Sequence, residues 1–141
     1  MDYSYDEKKI VAVVKSDLEP GLAANVIGHL SVSLGKYSDE DIMGRPVLMD
    51  GSDVAHVGIS RYPFITTKAK AAKIRKAIEM AKAEKKVFVI DYPEQMFSTG
   101  HDDELLKALQ EVQEADIVYW GAIFYGKRED VDIYTKKFSL Y

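Results

Sequence analysis

The chain has 141 residues, 47% hydrophobic and 30% charged, the balance of one globular domain, 1–141, with a single core. It holds no cysteine, which excludes disulfides and thiolate metal sites and fits a cytoplasmic location. The net charge of −4 argues against specific nucleic-acid binding, and no apolar run approaches the roughly 20 residues of a membrane helix.

Residues 1–7 are acidic and polar, unlike a signal-peptide start, and read as a flexible tail. Lys8–Lys15 is apolar, rich in β-branched residues and bounded by charge, which predicts a strand buried on both faces. Ser16 and Asp17 are candidate caps for the helix that follows, and Pro20 suits a first helical turn. Ala23, Ile27, Leu30 and Leu34 then recur at helical spacing, with Gly35 as a stop. Residues 37–45 form a polar connection. Residues 46–49 and 54–59 flank the turn signal Asp50-Gly51, which predicts a short hairpin.

Residues 63–66 read as the second main strand. Thr67 caps a predicted helix over 68–85 with Ala71, Ile74, Ile78 and Ala81 on one face. Residues 87–90 predict another doubly buried strand, expected beside the first. A helix after Gly100 carries Leu105, Leu106, Leu109 and Val112. Residues 117–125 form the last long strand, and 131–141 a tail. Alternating strands and helices predict a sheet covered on both faces.

The stretch Asp17-Leu18-x-x-Gly21-x-Ala23-Ala24-Asn25 after a strand resembles the opening of type II peptidyl-tRNA hydrolase. The last strand with Gly126, Val131, Thr135, Leu140 and Tyr141 resembles its close. An uncharacterised family, domain of unknown function 2000, is a closer likeness. It shares Gly21-x-Ala23-Ala24-Asn25, Leu34-Gly35, Asp50-Gly51 with His56-x-Gly58, and Tyr119-x-Gly121. The resemblance implies a three-layer α/β/α fold of the type II peptidyl-tRNA hydrolase kind, with a mixed four-stranded sheet whose last strand is antiparallel. Departures set this chain apart from the hydrolases. Gly21-Leu22 stands where that family has Gly-Lys, Asn25 stands in a glutamine position, and His29 lies one residue late. Residues 97–103 lack the Asp-Ala-Gly-x-Thr segment. Fold likeness alone carries no chemistry across.

Several polar residues are candidates for function. Lys15, Asp17, Gly21 and Asn25 surround the carboxyl end of the first strand, where open α/β sheets bind ligands; equally, Asp17 is a cap and Asn25 a loop partner. Asp50 and His56 on the hairpin are either a carboxylate orienting a general base or a turn with a neighbouring histidine. Ser98, Thr99 and His101 lack a nucleophile elbow and fit helix capping. The segment 68–86 holds eight basic residues against Glu79 and Glu84, either a phosphate track or a solvated helix face. The histidines lack metal-ligand spacing, and no glycine motif calls for a nucleotide cofactor, so neither metal nor cofactor is expected.

The functional expectation is a small-molecule hydrolase, transferase or ligand-binding protein. Asp50 and His56 are its catalytic candidates, and Lys15, Asp17, Gly21 and Asn25 its substrate-binding ones. The hairpin is expected to close over Asn25 as a lid. The alternatives are a non-enzymatic dimeric binding module and a divergent peptidyl-tRNA hydrolase. Expected partners are a small-molecule ligand and a second copy of the chain, with no membrane and no specific nucleic acid.

Overall fold

The computed structural model describes residues 2–141. Its core is a five-stranded mixed sheet built around β1 (Lys8–Lys15). β1 runs parallel to β4 (Phe64–Ala69) on one side and antiparallel to β6 (Tyr119–Lys127) on the other. Beyond them lie β5 (Phe88–Pro93), antiparallel to β6, and the short β7 (Ser139–Leu140), antiparallel to β4. β2 (Val47–Met49) and β3 (Ala55–Val57) form a separate hairpin.

Alternation along β1 sends its side chains into two cores. Ile10, Ala12 and Val14 meet α1 (Pro20–Tyr37) through Ala23, Val26, Leu30 and Leu34. Val11 and Val13 face α2 (Ala71–Glu84) and α5 (Arg128–Thr135), which contribute Ile74, Ile78, Ala81, Val131 and Tyr134. β6 supplies both cores, with Ile123 and Tyr125 on the α1 side and Ala122 and Phe124 on the other. Gly121 lets α1 approach the sheet, since a Cβ there would lie 2.7 Å from the Val13 carbonyl oxygen and 2.8 Å from Val26 Cγ1. α3 (Gln95–Ser98) and α4 (Asp102–Gln110) connect β5 to β6. Among the described residues no helix is long and apolar enough to cross a membrane.

The structure corrects several expectations. The sheet has five strands, not four, and β6 lies between β1 and β5, so the two strands expected side by side are not neighbours. β5 is an edge strand, only half-buried over Val89–Asp91. Pro20 does open α1, but the N-cap is Glu19 without a side-chain bond, because the Asp17 carboxylate pairs with Lys15 instead. Gly35 keeps a helical conformation and α1 runs on to Tyr37. Thr67 caps nothing: it lies in β4, where its buried Oγ1 donates to the Ala12 carbonyl at 2.8 Å, and the helix begins only at Ala71. The expected tail contains α5, whose Val131, Tyr134 and Thr135 recur at helical spacing.

The hairpin springs from the end of the sheet where β1 begins. Arg61 N–H donates to the Ile42 carbonyl at 2.8 Å, and Lys8 pairs with Asp41. Every residue from Arg45 to Val57 is exposed. Its root is tightly fitted. Gly58 N–H donates to the Pro46 carbonyl at 3.0 Å, and a Cβ on Gly58 would lie 1.6 Å from the Arg45 carbonyl oxygen. At the same end Tyr3 meets Tyr62 edge-on, their centroids 5.9 Å apart, with the Arg61 guanidinium over the Tyr3 ring.

Candidate ligand-binding site

The structure gathers the sequence candidates into separate groups. Lys15 and Asp17 form an ion pair of 2.9 Å at the end of β1, and Lys15 holds the Asp17 carboxyl below the usual carboxylate range. Gly21 and Asn25 are exposed on the first turns of α1, with open space around Gly21.

Asp50 and His56 do meet. Cross-strand pairing of Leu48 with His56 puts His56 and Asp50 on one face, and His56 Nε2 lies 2.8 Å from Asp50 Oδ2. Asp50 also accepts the Ser52 and Val54 N–H groups, at 2.8 and 3.1 Å, which closes the turn. The left-handed residue of that turn is Asp53, with φ of 61°, rather than Gly51. The His56 bond comes first, and the two N–H bonds next, in lowering the Asp50 pKa. Asn25 makes no hydrogen bond to either residue, and α1 starts at the carboxyl end of β1 whereas the hairpin is rooted at the opposite end. The single pocket holding Asn25 with Asp50 or His56 does not form, and the hairpin is no lid over it.

A different concavity, of about 300 Å³, opens between α1, the end of β5 and the α3–α4 connection. Helical spacing places His29 and Ser33 one turn apart on the wall that α1 provides. Tyr92 faces them from β5, its ring centroid 6.4 Å from that of His29. Burial raises the Tyr92 pKa, so its hydroxyl stays a hydrogen-bond donor across the physiological range. Tyr92 stacks on Trp120 at 6.4 Å, and Phe97 packs against the same indole at 5.0 Å. Opposite, Thr99 donates to the Gln95 carbonyl at 2.8 Å and Gly100 leads to His101. His101 Nδ1 accepts the Asp103 N–H at 3.1 Å and so caps α4.

The arrangement leaves polar groups unused. Among the described residues the side chains of His29 and Ser33, the Tyr92 hydroxyl and His101 Nε2 have no hydrogen-bond partner in the protein. Leu30, Ile90, Met96 and Leu105 supply apolar surface between them. Asp91 also lines the cleft, but its carboxylate is taken by Lys82. No lysine or arginine lines it. Among the described residues no three metal-ligating side chains converge. The cleft therefore offers hydrogen-bonding side chains and the Asp102 carboxylate around a partly apolar floor, a mix that suits a small polar molecule.

Ser33 and Tyr92 escape the sequence reading, and His29 enters it only as a misplaced motif residue. The available signal was His29-x-x-x-Ser33, two polar residues on one line of the helix.

Fold and cleft together define a small mixed α/β domain with a ligand-sized concavity beside its first helix. The chain belongs to the family described as Protein of unknown function (DUF2000), whose profile matches residues 8–141. It is similar to the solved structure of a protein of unknown function from Agrobacterium tumefaciens strain C58, with a TM-score of 0.84 and 23% identity. The match covers 96% of this chain and 98% of that one. At that identity the likeness shows a shared fold. No curated protein matches.

Proposed function

We propose that the protein binds a small neutral or amine-bearing organic molecule in the cleft between α1 and β5. The observation that carries this reading is the set of unpartnered polar groups on His29, Ser33, Tyr92 and His101 around an apolar floor. Polar side chains that face a concavity without partners in the protein are free to bond a ligand. The lining excludes the alkyl-ammonium and guanidinium groups that hold anions, and Asp102, Asp103 and Glu104 open the adjoining helix, so the local charge favours a neutral or cationic guest.

Amide-resolved NMR titration with a panel of small primary amines and amides tests this. Shifts should centre on His29, Ser33, Thr99 and Gly100, and His29→Ala should weaken binding by about tenfold, the worth of one hydrogen bond to the guest. Shifts centred on the hairpin or on α2 would refute the site.

A second reading, hydrolysis or group transfer, draws on the 2.8 Å contact of Asp50 with His56. The pair has the form of an oriented general base, but it is exposed on the hairpin and outside the cleft. Hydrolysis of an activated ester that His56→Ala abolishes would support it. Peptidyl-tRNA hydrolysis is the least favoured reading, because Leu22 stands where the resembling family has lysine.

A further inference from the structure

We infer that the β2–β3 hairpin is a dimerisation arm that packs its apolar face on α1 of a second copy of this chain. Cross-strand pairing of Val47 with Val57 and of Met49 with Ala55 puts these four residues on one face. None of them is covered: Val47 is 54% exposed, Met49 59% and Val57 87%, and Ile59 just beyond is 74% exposed. A two-stranded ribbon standing alone is marginal in water, and one with an apolar face gains stability only when that face is buried.

The root of the arm is built to aim it. The Gly58 bond to Pro46 and the bond of Gly44 N–H to the Ile59 carbonyl at 2.9 Å fix the two chains, and the Gly58 contact leaves no room for a side chain. An arm held in one direction loses less freedom on docking than a mobile loop.

Area and chemistry select a second copy as the occupant. A stable interface buries about 800 Å² per partner, more than the few large side chains of one arm supply. A two-fold axis doubles the contribution, because each copy both gives an arm and receives one. The receiving surface is present on the same chain. From Pro20 to Gly35, α1 has no charged residue, whereas a helix facing water ordinarily carries charge on its outer side. That outer side shows Val32, 76% exposed, together with Ala24, and nothing lies within 4 Å of a Cβ built on Gly21, Gly28 or Gly35. The surface is smooth and free of charge up to Lys36 in the last turn, and it can accept the projecting Val57 and Met49.

Sedimentation velocity of the intact chain over a micromolar concentration series decides the matter. A species of twice 15.9 kDa is expected. The double variant Met49→Glu, Val57→Lys changes only exposed residues and should keep its circular dichroism while weakening self-association at least about 30-fold, the effect of losing a hot spot. Val32→Lys should do the same, and Glu79→Lys on α2 should do nothing. A wild-type chain that stays monomeric, including one that captures only a different protein, overturns the proposal. So does a dimer that survives the arm variant. A dimer lost in the arm variant but intact in Val32→Lys refutes α1 as the receiving surface.

Discussion

α1 and α2 cover opposite faces of one sheet, and their inner sides are alike: Ala23, Val26, Leu30 and Leu34 on the first, Ile74, Ala77, Ile78 and Ala81 on the second. Their outer sides have nothing in common. α2 shows Lys73, Lys76, Glu79 and Lys82 to water, and its Arg75 pairs with Glu79 at 3.5 Å and with Glu114 at 2.8 Å, while also donating to the Ile117 carbonyl. α1 shows glycine, alanine, Asn25, His29 and Val32, and charge only at Lys36 in its last turn. The inner stripe of each helix is dictated by the sheet it covers and carries no message about function. The outer stripe is free to vary, and on α1 it is clear of charge from Pro20 to Gly35, beside the cleft.

Equal inner faces imply equal losses. Leu30→Ala and Ile78→Ala should each cost about 2–5 kcal/mol in urea unfolding, as for other buried large-to-small changes. A small loss at one of them would break the symmetry between the two cores. Gly121→Ala sharpens it from the other direction. The added methyl meets the Val13 carbonyl and Val26 on the α1 side alone, and about 1–3 kcal/mol should be lost through overpacking.

The outer faces differ more subtly. Gly28→Ala has open space around it and should stabilise the monomeric arm variant by about 0.5–1 kcal/mol through helix propensity. A loss there would place α1 against something within its own chain. Acid should affect the hairpin locally. The Asp50 carboxyl has a lowered pKa in the fold, so its contribution is complete above the unfolded value, about 3.9, and fades as pH falls through the lower folded value. The amide shifts of Ser52 and Val54 should move over that window while those of β1 do not, and Asp50→Asn should abolish the movement.

The smallest expected effect is none. A labelled peptidyl-tRNA should not be cleaved, since the Leu22 side chain neither donates a hydrogen bond nor stabilises negative charge. Turnover near 1 per second would overturn this, being within the ordinary enzyme range.

Much of the fold is legible locally. The β-branched run of β1, the α1 stripe, and the Asp50-Gly51 turn between apolar strands each announce an element. Misreadings arise where a tertiary partner outbids a local signal. Thr67 reads as a cap, yet the Ala12 carbonyl across the ladder claims its hydroxyl. The placing of β6 between β1 and β5 is set by long-range pairing, which no periodicity records. For the site, the Asp50–His56 contact follows from hairpin register, a local property. The cleft joins residues 29–33 to 90–105, and its convergence depends on that same unreadable strand order.

The strand order also bears on how the chain folds while being made. β1 emerges first, but β6, which pairs with nearly its whole length, follows about a hundred residues later. At cellular rates of synthesis that delay is on the order of ten seconds. A hairpin closes within about ten microseconds, so β2 and β3 can pair long before the central strand has both neighbours. During that interval the nascent chain displays a central strand, apolar from Ile10 to Val14, with at most β4 beside it, and a finished ribbon with a greasy side. Chaperone demand should therefore concentrate on the period before β6 leaves the ribosome, and delaying its arrival with slow codons should raise aggregation of the newly made protein.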